Sequence, residues 1–170
     1  MSTTSEIVKK ANHLLNTYHT RDPRTIASHL GITVIPQPFD TQKGAYKVIL
    51  RNAFIFVNQN LDEVMTNIVL CHEIGHHILH RGEAVKAGGF KEFNIFDMRS
   101  NRMEYEANIF ASQLALDDKE FLEYASQGYD IQQIARAMFS DINLVALKSD
   151  TLIAQGYRLR PQEHTNDFLK

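Results

Sequence analysis

Five consecutive residues, His72-Glu73-Ile74-Gly75-His76, carry the chemistry most specific to this chain. Residues four apart stand on one face of a helix, roughly 6 Å apart along its axis. That spacing lets two imidazoles hold one metal ion. Glu73 projects about 100° around the helix from His72, beside such an ion rather than on it. A carboxylate placed there can take a proton from an attacking water. His76 and His80 are also four apart and offer a competing pair, but the residue after His76 is His77, a poor substitute for a carboxylate base. The chemistry therefore favours His72 and His76, with His77 expected at the surface and His80 at the rim of a cleft. Two histidines on an apolar helix can also be ordinary core residues; the carboxylate between them and a third ligand tip the balance.

The third ligand is sought in the helical stretch from Asn101 to Leu116, where Met103, Ala107, Phe110, Ala111 and Leu114 are expected to face inward. Two acids compete there. On a helical wheel Glu104 lies within about 60° of Ala107, Asn108, Ala111 and Ala115, whereas Glu106 lies with Ile109, Phe110 and Gln113. A stripe of alanines lets two helices approach closely, as ligands reaching a common ion at about 2 Å require. An uncompensated carboxylate beside that stripe would be costly to desolvate. Glu104 thus fits a ligand better, and Glu106 fits a helix flank or a solvent-facing position.

The elements that must position these residues follow from patterning. Ser5 to Tyr18 reads as an amphipathic helix, and Asp22-Pro23 supplies a cap and first-turn proline for a second, which Gly31 closes. Thr33 to Ile35 reads as a strand ended by Pro36. Ala45–Leu50 and Ala53–Val57 read as two more, around an Arg51-Asn52 turn. The metal-binding helix follows, capped from Asn60. Leu61, Val64, Met65, Ile68, Cys71, Gly75, Ile78 and Leu79 form its buried stripe, the two histidines sit half sheltered at its edge, and Gly82 ends it. Residues 81–100, with Gly88-Gly89 and the apolar Phe90, Phe93, Ile95 and Phe96, are either a wall of the cleft or a plain connection. Ile131 to Met138 and Leu144 to Gln155 read as a later helix pair. The order predicts an α+β fold, with a small antiparallel sheet packed on the HExxH helix. Residues 1–116 are expected to form the core, and 117–170 a helical C-terminal extension packed on it.

At 170 residues the chain can bury a real core: 44% of it is hydrophobic, with ten Phe and no Trp. The first ten residues are polar and argue against a secretory signal. No run approaches bilayer length, so no membrane role is expected. A single cysteine excludes an internal disulfide and fits a reducing, cytoplasmic setting; its place in the helix suggests a core thiol. Net charge is −2, with basic residues scattered, so no direct contact with nucleic acid is expected. Thr25 to Thr33 resembles half of a helix-turn-helix, but the prolines at 36 and 38 forbid a recognition helix. The later helix pair offers only Lys148, offset by Asp150.

The HExxH run, followed after 27 residues by Glu104-Tyr105-Glu106-Ala107-Asn108-Ile109-Phe110-Ala111, resembles the ImmA/IrrE family of zinc metallopeptidases. The family pattern is HExxH, then a glutamate leading into an Ala-Asn-x-Phe-Ala segment. The resemblance appoints Glu104 as third ligand and implies a zincin-like domain of gluzincin type, in which His72, His76 and Glu104 hold Zn2+ and Glu73 is the catalytic base. It further implies that Asn108, four residues after the ligand glutamate, supports a ligand histidine; a helix-surface asparagine is the alternative. Where many relatives carry Met-Pro after this helix, the chain has Leu116-Asp117-Asp118. The implied substrate is a helix-turn-helix transcriptional repressor, cleaved to relieve repression in a phage or mobile element. A zinc-bearing regulator that binds such a partner without efficient cleavage is the rival. Tyr105, His80, Tyr157 and His164 are candidates for an oxyanion donor.

Overall fold

The computed structural model describes residues 2–88, 90–92 (as backbone) and 102–159. Helix α1 (Thr4–Tyr18) starts at a reciprocal cap, in which Glu6 N–H donates to the Thr3 hydroxyl and Thr3 N–H to the Glu6 carboxylate. Helix α2 (Pro23–His29) is capped by Asp22, with Pro23 in its first turn, and ends before Gly31 at φ 70°. Three strands follow, β1 (Ile32–Gln37), β2 (Gly44–Ile49) and β3 (Asn52–Asn58), and then the central helix α3 (Glu63–Leu79). Helix α4 (Arg81–Ala87) and strand β4 (Phe90–Glu92) precede α5 (Arg102–Ala115). Helices α6 (Asp118–Ser126), α7 (Ile131–Ala137) and α8 (Ile142–Ala154) complete the described chain.

The fold is α+β, as patterning predicts, but the sheet is mixed rather than antiparallel. Its order is β1-β3-β2-β4; β2 pairs antiparallel with β3 and β4, while β1 pairs parallel with β3. Alternation identifies strands but not their partners. Here β3 slots between β1 and β2, so the 38–43 connection must pass the end of β3. β1 runs on through Pro36 instead of stopping there. Among the described residues it pairs on one side only, and an edge strand tolerates a residue that lacks an N–H. The β2–β3 turn falls at Leu50-Arg51, one residue earlier than expected, with φ of 48° and 69° and Ile49 opposite Asn52. Two left-handed residues in a two-residue loop match the strand twist.

Helix α3 is capped by Asp62, whose carboxylate accepts from Met65 N–H at 2.7 Å, and not by Asn60. Asn60 N–H is already held in a turn by the Asn58 side chain. The helix ends at Leu79, and α4 begins two residues on, so Gly82 lies inside a helix instead of ending one. α3 packs on α5 on one side and on α2, β2 and β3 on others. Ile68 to His76 are buried without a break, so the expected half-sheltered histidines are fully enclosed.

α5 is the hub, touching α1, α3 and α8. Arg21 donates to the carbonyls of Gln113 and Leu114 at its C-terminal end, each at 3.0 Å, and pairs with Asp117. Buried Lys148 of α8 donates to the Gln113 side chain and to Asp118. Gln113 in turn donates to Asn12 of α1. Lys148 is therefore spent on tying helices together and is not presented to a phosphate. Among the described residues no helix is long and apolar enough to cross a membrane.

Candidate metal centre

His72 and His76 lie one turn apart on α3, and α5 brings Glu104 to both. His72 Nε2 is 3.1 Å from His76 Nε2 and 3.1 Å from Glu104 Oε2; His76 Nε2 is 3.4 Å from that same oxygen. The helices meet closely because of Gly75. A β-carbon there would lie 3.2 Å from the Ala107 carbonyl oxygen and 3.3 Å from Phe110 Cβ. The sequence pattern pointed to alanines on α5; the glycine opposite them on α3 matters as much.

Burial pushes the Glu104 carboxyl up, but the two imidazoles on it outweigh this and hold it well below the usual carboxylate range. It is an anion. His72 Nδ1 donates to Asn108 Oδ1 at 2.8 Å, which leaves the Nε2 lone pair directed toward Glu104. Asn108 is buried and sits behind a histidine, not on the helix surface. An ion bound tetrahedrally at about 2.0–2.1 Å separates its nitrogen and oxygen ligands by about 3.3 Å. The spacing here matches, and two imidazoles with one carboxylate form a donor set suited to such an ion. His72, His76 and Glu104 could hold a metal.

Glu73 is buried on the neighbouring face of α3, toward β2. A β-carbon at Gly44 would come within 2.7 Å of its Oε1. Only a residue without a side chain lets the carboxylate lie against this strand. No local signal in the sequence pairs positions 44 and 73.

Three placements differ from expectation. His77 is not a free surface residue: its Nδ1 accepts from the Tyr46 hydroxyl at 2.9 Å and lies 3.3 Å from Arg81 Nη1. Burial, and secondarily Arg81, push its pKa down to about 4, so the ring is neutral. His80 does not line a rim; it is buried, 3.1 Å from His76 and 3.1 Å from Glu106. Burial lowers its pKa and outweighs Glu106. Glu106 is neither flanking nor solvent-facing, being 7% exposed and held by Arg102 and His80. Burial raises its carboxyl, and those two partners bring it below the ordinary value. The i,i+4 spacings His76/His80 and Arg102/Glu106 were the available signal for this cluster. Of the candidate oxyanion donors, Tyr105 and Tyr157 are exposed and His164 lies outside the described residues, as do Phe93, Ile95 and Phe96.

An α+β domain whose central helix carries HExxH, with a glutamate delivered from the next long helix, defines a zincin-like metallopeptidase domain. Residues 27–146 match the peptidase-family model described as the IrrE N-terminal-like domain. The chain is 33% identical over 131 residues to "Uncharacterized immunity region protein 2" of Bacillus phage phi105, covering 76% of this chain and 80% of that protein. It is 37% identical over 84 residues to "Metallopeptidase ImmA" of Bacillus subtilis (strain 168), covering 48% of this chain and 46% of that protein. The chain belongs to the ImmA/IrrE metallopeptidase family.

Proposed function

We propose that this chain is a zinc-dependent endopeptidase that cuts a helix-turn-helix transcriptional repressor in the cytoplasm and so relieves repression. The observation that carries the reading is the convergence within 3.4 Å of His72 Nε2 and His76 Nε2, on the helix that bears Glu73, with Glu104 Oε2 from α5. Three protein ligands leave a fourth position open, the make-up of a catalytic rather than a structural site. Bound zinc would supply Lewis-acid polarisation of a water and of the scissile carbonyl.

The chain's own residues do the rest. Glu73 takes the proton of the attacking water and passes it to the leaving amine. Asn108 holds the His72 ring with its Nε2 lone pair facing inward. Glu104 stays ionised and brings one negative charge to the site. The repressor as substrate is supported by the name of the phage relative as an immunity region protein and of the Bacillus subtilis relative as a metallopeptidase.

The test is intact-mass analysis of the repressor encoded beside this gene, incubated with zinc-loaded protein and, in parallel, with Glu73→Gln. A discrete cut by the wild type, slowed about 10²–10⁴-fold in the variant with its zinc retained, is expected. An equally active variant would remove Glu73 from the mechanism. A repressor bound but uncut by zinc-loaded protein would favour the rival, a regulator acting by binding.

A further inference from the structure

We propose that His80 and Glu106 are positioning residues that dictate which nitrogen His76 offers to the metal. The inference rests on the reading of His72, His76 and Glu104 as ligands. Four side chains, Arg102, Glu106, His80 and His76, form a line from the surface to the site. Arg102 is half exposed, while Glu106, His80 and His76 are buried.

Each link is set by what the groups can donate or accept. The guanidinium can only donate, and Arg102 Nε lies 2.7 Å from Glu106 Oε1. The second carboxylate oxygen can only accept, and it lies 3.1 Å from His80 Nε2. That nitrogen therefore carries the ring proton. A neutral imidazole has one N–H, so His80 Nδ1 presents a lone pair to His76 Nδ1, 3.1 Å away. His76 Nδ1 must then hold its proton, and its Nε2 lone pair points at the meeting place of His72 and Glu104. A pair that merely glued α3 to α5 would not specify this orientation. Asn108 performs the same task for His72 in one step.

The charge on Glu106 is what sets the direction of the line. In Glu106→Gln, Arg102 keeps the amide oxygen, so the amide NH2 faces His80 Nε2. His80 then carries its proton on Nδ1, and His76 is left with a proton on the nitrogen that should ligate. Zinc affinity of the full chain, measured by competition with a chromophoric chelator, is expected to fall about 10–100-fold in Glu106→Gln and in His80→Ala. The absorption spectrum of the Co2+-loaded chain should change with it, while circular dichroism of the metal-free proteins stays at wild type. Adding Arg102→Met to Glu106→Gln frees the amide to turn its oxygen toward His80 and should restore most of the lost affinity. Wild-type affinity and cobalt spectrum in both single variants would overturn the proposal. So would a weakened Glu106→Gln that Arg102→Met fails to rescue, because a packing defect is not repaired by a second truncation. Absence of zinc binding by the wild type in the same assay would overturn the ligand reading, and the positioning role with it.

Discussion

At Gly44 a β-carbon would lie 2.7 Å from both Glu73 Oε1 and Val69 Cγ1, closer than nonbonded atoms approach. The Glu73 carboxylate thus owes its place to a missing side chain on β2. Gly44→Ala should displace it while leaving His72, His76 and Glu104 untouched. On the proposed function, repressor cleavage is expected to fall about 10²-fold, the scale of a 1 Å misplacement, with zinc stoichiometry unchanged; kinetics beside a zinc titration checks both. The placing of Glu73 beside two histidines on one helix was legible because HExxH is an intrahelical pattern. Gly44 was not, since 29 positions separate it from Glu73 and only docking of the sheet on α3 makes them neighbours. Glu104 was separable from Glu106 on the helical wheel, but the wheel could not show that Glu106 faces a second buried partner, His80.

Between elements, the distance from α3 to α5 is set by Gly75 against Ala107 and Phe110. Gly75→Ala would gain about 1 kcal/mol of helix propensity and meet a crowding cost of about 1–3 kcal/mol. The Ala107 backbone yields only if the whole of α5 moves. Stability should therefore change little or fall modestly in urea unfolding, whereas zinc affinity falls clearly as Glu104 is carried away from the histidines. The β2–β3 turn offers the opposite case. Leu50 and Arg51 both sit in the left-handed region, which costs an ordinary L-residue about 1–2 kcal/mol. Leu50→Asn with Arg51→Gly should add about 1–2 kcal/mol of stability, seen as a raised midpoint in thermal or urea unfolding, with zinc affinity unaltered.

Among the described residues α2, α4, α5, β2 and β3 all pack on α3, and Cys71 records this. The thiol is 1% exposed, and burial pushes its pKa up to about 12 from an ordinary 9.0. The neutral thiol is favoured by the fold, so its contribution is complete below about pH 9. It is lost as pH rises toward 12, because the unfolded chain ionises first. Cys71→Ala should flatten that alkaline loss in pH-dependent unfolding, at the expense of some stability at neutral pH from the smaller side chain. A thiol reagent should label the native wild type far more slowly than the urea-unfolded chain.

What the sequence determined by itself is what depends on near neighbours: α1, α2, α3, α5 and the later helix pair, most of their apolar faces though not Val64, which is exposed, the β2–β3 hairpin, and the placing of two histidines one turn apart. These follow from periods of 3.6 and 2 residues and from side-chain chemistry at fixed spacing. The tertiary structure alone decided that β1 joins the sheet in parallel and that the motif is wholly enclosed. It alone placed Gly44 beneath Glu73, and Glu106 and His80 behind His76. Those facts depend on how elements dock, and docking is set by glycine contacts, connection lengths and the pairing of buried polar groups that no local period encodes.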